Sequence, residues 1–119
     1  MRYTTEHHWL RAEQGFVVVG ITPFAVEQLG TLVLVELPQM GDNVAKGEEV
    51  AMVESSKAVS DISAPISGDI VAVNTALAGN PGLANEDPMG NGWLFKMSVP
   101  NPSEIDGMMD DAGYKTFMG

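Results

Sequence analysis

Short apolar runs broken by turn-forming residues recur along most of the chain, an order that predicts a β-rich fold with one short helix early and another at the end. Gly15 separates Leu10 from Phe16-Val17-Val18-Val19, as a turn between two antiparallel strands requires. Thr22-Pro23 then supplies an N-cap and a proline at the first helical position. Phe24 to Leu29 is helix-compatible, and Gly30 can close the helix in the left-handed conformation, which predicts a short helix near 23–29. The run Thr31 to Leu37, ended by Pro38, is strongly β-prone, and its nearly unbroken apolarity predicts a central strand buried on both faces.

Val50-Ala51-Met52-Val53 and Val59-Ser60-Asp61-Ile62 are each partly β-branched and free of Gly and Pro, so each predicts an extended segment. Between them lies the small, polar stretch Glu54-Ser55-Ser56-Lys57-Ala58. That order sets Lys57 at or beside a hairpin tip, where its amine stays solvated and open to a modifying enzyme. Taken alone, such a lysine is most often an ordinary exposed turn residue.

Gly41-Asp42-Asn43-Val44-Ala45 and Gly68-Asp69-Ile70-Val71-Ala72 echo one another on either side of this segment. Two half-motifs of a pseudo-symmetric sandwich would leave that trace, and so would turn chemistry alone. After Pro100-Asn101-Pro102 the tail changes character. Ser103 with Asp106 three positions on predicts a helix cap, and Ile105, Met108, Met109, Ala112 and Phe117 predict an apolar stripe on a helix over about 103–117, weakened by Gly107 and Gly113.

Composition narrows the chemistry. At 119 residues the chain suits one domain, 1–119, with a β core over about 3–99 and a core of aliphatic residues and methionine rather than stacked rings. A net charge of −10 repels phosphate backbones and anionic lipid, which argues against nucleic-acid binding. No apolar run approaches ~18 residues and no basic-then-apolar start is present, so the expectation is a soluble intracellular protein without a membrane span. Absence of cysteine removes disulfides, thiolate catalysis and cysteine-based metal sites. His7 and His8 are adjacent, without a spaced third ligand, and so make a poor metal site. No phosphate loop or nucleophile elbow is present. Glu54 and Asp61, with Glu48 and Glu49, fit either recognition charges around Lys57 or a solvated acidic face.

Glu54-Ser55-Ser56-Lys57-Ala58 resembles the lipoylation motif of the glycine cleavage H-protein family, E-S-x-K-A. The likeness continues through Ser60-Asp61-Ile62, Ala64-Pro65-Ile66-Ser67-Gly68 and Val73-Asn74. Upstream it includes His7-x-Trp9-Leu10, Gly20-Ile21-Thr22, Leu29-Gly30 and Glu36-Leu37-Pro38; downstream, Asn74-x-x-Leu77, Pro81-x-Leu83-x-Asn85 and Gly92-Trp93. A lipoyl domain of a 2-oxo acid dehydrogenase acyltransferase usually carries D-K-A and runs into an Ala/Pro-rich linker. A biotinyl domain sets methionine on both sides of its lysine. Neither pattern is present.

The resemblance implies a mainly β, lipoyl-domain-like flattened β-barrel or sandwich, a barrel-sandwich hybrid. It also implies a non-catalytic carrier with lipoate bound covalently to Lys57 and with Glu54, Ser55, Ser56 and Ala58 framing the attachment. The implied partners are glycine decarboxylase, the aminomethyltransferase, dihydrolipoyl dehydrogenase and a lipoyl-attaching enzyme. They would meet a monomer in the cytoplasm, or in the mitochondrial matrix if the source is eukaryotic. The family tucks its loaded arm into a cleft where a glutamate between His and Trp, together with an aspartate, holds the amine; those positions are His8 and Asp61 here. Neutral histidine cannot supply the charge. Thr31, Ser56 and Ser63 also depart from the usual acidic residue, Val and Tyr. These departures keep two other functions in view: a relay of lipoyl groups to 2-oxo acid dehydrogenases, and an unmodified acidic binding module.

Overall fold

The computed structural model describes residues 1–118. Its strands are β1 (Arg2–Tyr3), β2 (His8–Glu13), β3 (Phe16–Ile21), β4 (Leu32–Glu36), β5 (Asn43–Val44), β6 (Glu49–Ser55), β7 (Val59–Ser63), β8 (Gly68–Val73) and β9 (Phe95–Ser98). Four helices join them: α1 (Pro23–Leu29), α2 (Ala76–Gly79), α3 (Leu83–Glu86) and α4 (Asp111–Met118). A six-stranded sheet runs β1-β2-β3-β9-β8-β5 and a three-stranded sheet runs β4-β6-β7, with every pair antiparallel. The β-rich fold expected from the apolar pattern, and the two-sheet sandwich that the resemblance implies, are what form.

Aliphatic side chains of both sheets meet between them. Leu10, Val17, Val19, Ile21, Ile70, Phe95 and Met97 of the larger sheet share one buried cluster with Val35, Val53 and Ile62 of the smaller. Gly15, at φ 83°, turns β2 into β3 as expected, and Glu13 faces Phe16 across it. Trp9 lies opposite Gly20, where an added methyl would come within 2.5 Å of the indole, so this buried ring needs glycine across the ladder. The indole N–H donates to the Pro88 carbonyl at 2.9 Å.

Helix α1 forms where Thr22 and Pro23 predict it. The Thr22 hydroxyl accepts from the Ala25 N–H at 3.3 Å, and Gly30 ends the helix at φ 84° with its N–H on the Val26 carbonyl. The two echoing segments pair with each other: Asn43 faces Asp69 and Val44 faces Gly68 in the β5–β8 ladder. The echo's equivalent positions are not partners, since Asn43 corresponds to Ile70 and Val44 to Val71, so this ladder is met equally by half-motifs and by turn chemistry.

Two expectations fail. The run at 31–37 is not a central strand, because β4 lies at an edge of the smaller sheet and exposes Val33 and Leu34. Its apolarity is unbroken because a bulge between Leu32 and Leu34 upsets the in–out alternation, with Leu32 and Val35 alone fully inward. The C-terminal helix forms as α4, but the helical segment expected over about 103–117 is not one continuous helix. A 3-10 turn spans Pro102–Gly107, capped by Asn101 rather than Ser103; the Asn101 side chain accepts from the Ser103 N–H at 3.2 Å. The chain is then extended at Met108, and Met109 pairs with Tyr3 before α4 begins. Ile105 is buried and Ala112 and Phe117 are exposed; Tyr114, absent from the expected stripe, is the buried residue of α4.

Candidate functional site

Lys57 occupies the exposed connection between β6 and β7, whose ladder pairs Glu54 with Val59, Val53 with Ser60 and Met52 with Asp61. Ser55 builds the turn. Its hydroxyl oxygen accepts from the Ala58 N–H at 3.0 Å and the Lys57 N–H at 3.3 Å, and its own N–H donates to the Ala58 carbonyl at 2.8 Å. Ser55 is buried while Ser56, Lys57 and Ala58 are exposed, so Ser55 pins the loop that the other three present. A short polar side chain whose hydroxyl can reach back to its own backbone is what such a turn needs.

The lysine does not point freely into solvent. Its side chain lies across Gly30, where an added methyl would sit 3.1 Å from Cε and 3.6 Å from Nζ. Asn85 braces this platform: its amide donates to the Gly30 carbonyl at 2.8 Å and its oxygen accepts from the Leu32 N–H at 2.9 Å. Gly30 and Asn85 were legible only as members of a pattern, because their work depends on α3 folding back onto the α1–β4 connection.

From Leu29, next to Gly30, a groove of about 200 Å³ runs between α1 and β7 to His8 and Glu6. Ile21, Phe24, Ala25, Leu29 and Ile62 make it largely apolar. Beyond His8 and Glu6, which line both, a second hollow of about 350 Å³ continues past Tyr3, Lys46 and Met108. His8 is buried at the start of β2, and that burial pushes its imidazole below the usual 6.5; His7 adds to the lowering, while the Glu6 carboxylate opposes it. Glu6 is the one carboxylate among the described residues lining either hollow, a position sequence reasoning missed. Only the fold shows that the chain before β2 bends Glu6 toward this groove.

His7 anchors that bend. It adopts φ 66°, its carbonyl accepts from the Thr22 N–H, and its Nδ1 is 2.6 Å from the Tyr114 hydroxyl, which lies 2.9 Å from the Thr22 hydroxyl. Helix α4 is thereby fastened to the start of α1. Tyr114 also stacks on Tyr3 at 4.5 Å, and burial with the neighbouring Asp111 pushes the Tyr3 phenol up to about 12.

Asp61 does not share the His8 groove. Along β7, Ser60 and Ile62 turn inward to that groove, and alternation sends Asp61 to the outer face, beside a different hollow with Glu36, Glu49 and Met52. His8 thus lines this groove, and Asp61 lines the other hollow. Glu54 likewise faces outward, in register with Leu34 and Val59. Among the described residues no group of three or more His, Asp or Glu is placed to hold a metal ion, and no helix is long and apolar enough to cross a membrane.

Comparison with known proteins covers the whole chain. The sequence model of the family described as glycine cleavage H-protein matches residues 1–119. A glycine cleavage system H protein of Methylocella silvestris is 50% identical over 118 residues, covering 99% of this chain and 94% of that one. One from Beijerinckia indica is 50% identical over 117 residues, with 98% and 94% covered. A crystal structure of a glycine cleavage system H protein from Mycobacterium marinum superposes with a TM-score of 0.86 at 41% identity, covering 96% of this chain and 92% of that one.

Proposed function

The chain belongs to the glycine cleavage H-protein family, the lipoyl shuttle of glycine cleavage, and from that premise we propose that Lys57 is the residue bearing its arm. The observation that carries this is an exposed lysine held by the Ser55 turn, its stem lying over Gly30 beside Leu29, which lines an apolar groove. When attached as an amide, the lipoyl group supplies a dithiolane on a long tether that accepts and hands on the aminomethyl group and reducing equivalents.

Each neighbouring residue has a share in that task. Ser55 fixes the height and direction of Lys57, and Gly30 lets the alkyl stem lie flat on the backbone. Ile21, Phe24, Leu29 and Ile62 offer the arm an apolar bed that excludes water. Glu6 offers a carboxylate to a cationic amine at the far end, the part that neutral His8 does not fill. The chain as one unit, 1–119, would then carry the group among glycine decarboxylase, the aminomethyltransferase and dihydrolipoyl dehydrogenase. Attachment through a tether raises the effective concentration at each partner.

Intact-mass analysis of the protein from its own host, followed by peptide mapping, is expected to find one lipoyl group at Lys57. An unmodified Lys57 in cells supplied with lipoate, or modification at Lys46, Lys96 or Lys115, overturns the assignment.

A further inference from the structure

The outer face of the smaller sheet carries a pattern that the shuttle chemistry does not use. Ladder registers set Leu34, Glu54 and Val59 side by side, and Glu36, Met52 and Asp61 side by side in the next row on the same face. The rows read apolar–acid–apolar and acid–apolar–acid, so apolar and acidic groups alternate in both directions. Leu34 is 40% exposed and Val59 60% exposed, and Glu36 and Asp61 are exposed as well. The ion pairs found, Arg11–Glu13 and Lys96–Glu13, lie on the other sheet; none involves Glu36, Glu54 or Asp61 among the described residues. Solubility alone would be served by the charges and would not place Leu34 and Val59 in solvent between them.

We propose that this two-row face is the docking surface for the enzyme that forms the amide at Lys57, a partner presenting apolar side chains among Lys and Arg. The proposal rests on Lys57 being the modified residue. Charge complementarity gives the partner its sign. Reach gives its identity. Before modification the reacting atom is Nζ itself, lying against Gly30, so the attaching enzyme must bring its catalytic groups onto the hairpin tip. The Leu34–Glu54–Val59 row adjoins that tip, and the next row lies about 7 Å further down the strands, inside any such footprint. Partners that act on the far end of a long arm have no need to cover these strands. The inner face is unavailable because Val35, Val53 and Ile62 pack there against the larger sheet.

The test uses the unmodified full-length chain and a lipoate ligase supplied with lipoate and ATP, which joins the lipoate carboxyl to Nζ with release of AMP and pyrophosphate. Glu36→Gln/Asp61→Asn is expected to lower kcat/KM about fivefold at low ionic strength, through KM with kcat unchanged, and the gap should close as salt approaches ~0.5 M. Met52→Gln and Leu34→Gln should lower kcat/KM at every salt concentration, with unfolding midpoints recorded for all variants. Glu104→Gln/Asp106→Asn, with the same charge change on the 3-10 turn, should leave the rate alone. Unchanged kcat/KM in the sheet variants, or an equal loss in the Glu104/Asp106 control, overturns the proposal. So does normal lipoylation combined with weakened exchange of bicarbonate into glycine by glycine decarboxylase, which assigns the face to that enzyme. A wild-type chain that is not modified at all refutes the Lys57 assignment instead, so the two failures are distinguishable.

Discussion

Gly30→Ala separates two explanations for the glycine beneath Lys57. Gly30 lies at φ 84° and ψ −161°, a region almost reserved for glycine, so a side chain there costs about 1–3 kcal/mol of backbone strain. Rotating out of it would break the bond from its N–H to Val26, at 2.9 Å, and the one from Asn85 to its carbonyl, at 2.8 Å, each worth about 1 kcal/mol. The new methyl would also approach Lys57 Cε at 3.1 Å, but that is the end of a flexible chain with solvent beside it, and displacing it costs only about 0.1–0.3 kcal/mol of lost contact. Strain therefore dominates. The expected loss is about 1–3 kcal/mol, or roughly 3–6 °C of Tm per kcal/mol for a chain of this length. Urea unfolding followed by tryptophan fluorescence measures it, in a double-mutant cycle with Lys57→Ala. Strain predicts the same cost with and without Lys57, to within ~0.5 kcal/mol. A cost below ~0.5 kcal/mol, or one abolished by Lys57→Ala, would refute the reasoning and make the lysine contact the reason for glycine.

Lys57→Arg keeps charge at an exposed tip but removes the acyl acceptor, so unfolding should move by less than ~0.5 kcal/mol while lipoylation disappears; an unfolded variant would make Lys57 a structural residue. Glu6→Gln removes the groove's carboxylate and should hasten release of formaldehyde from the loaded arm without moving the unfolding midpoint; unchanged release would mean the amine is held elsewhere. His8 makes a pH-dependent contribution because its folded value lies below 6.5. The unfolded chain binds more protons in that window, so stability is intact above 6.5 and falls as pH drops from 6.5 toward the folded value. His8→Gln should flatten that part of the stability profile, and an unaltered slope would place the titrating group elsewhere.

Local signals were readable in one dimension. Thr22-Pro23 with Gly30 bounded α1, Gly15 marked the first hairpin, and the small polar residues around Lys57 marked the second, because caps and turns depend on the φ and hydrogen-bonding habits of a few adjacent residues. The lysine and its motif were legible for the same reason. Tertiary packing decided the rest. Apolarity at 31–37 suggested a central strand, yet burial depends on which strands lie alongside, and a bulged edge strand exposes Leu34 with the same residues. Which charged group meets the groove was hidden as well. Asp61 looked close to Lys57 along the chain, but strand alternation turns it to the opposite face, while Glu6, some fifty positions upstream, is brought in by a bend held by His7, Thr22 and Tyr114. Sequence distance measures neither which face of a strand a side chain takes nor which loop folds over it, and the chemistry of an arm's resting place depends on both.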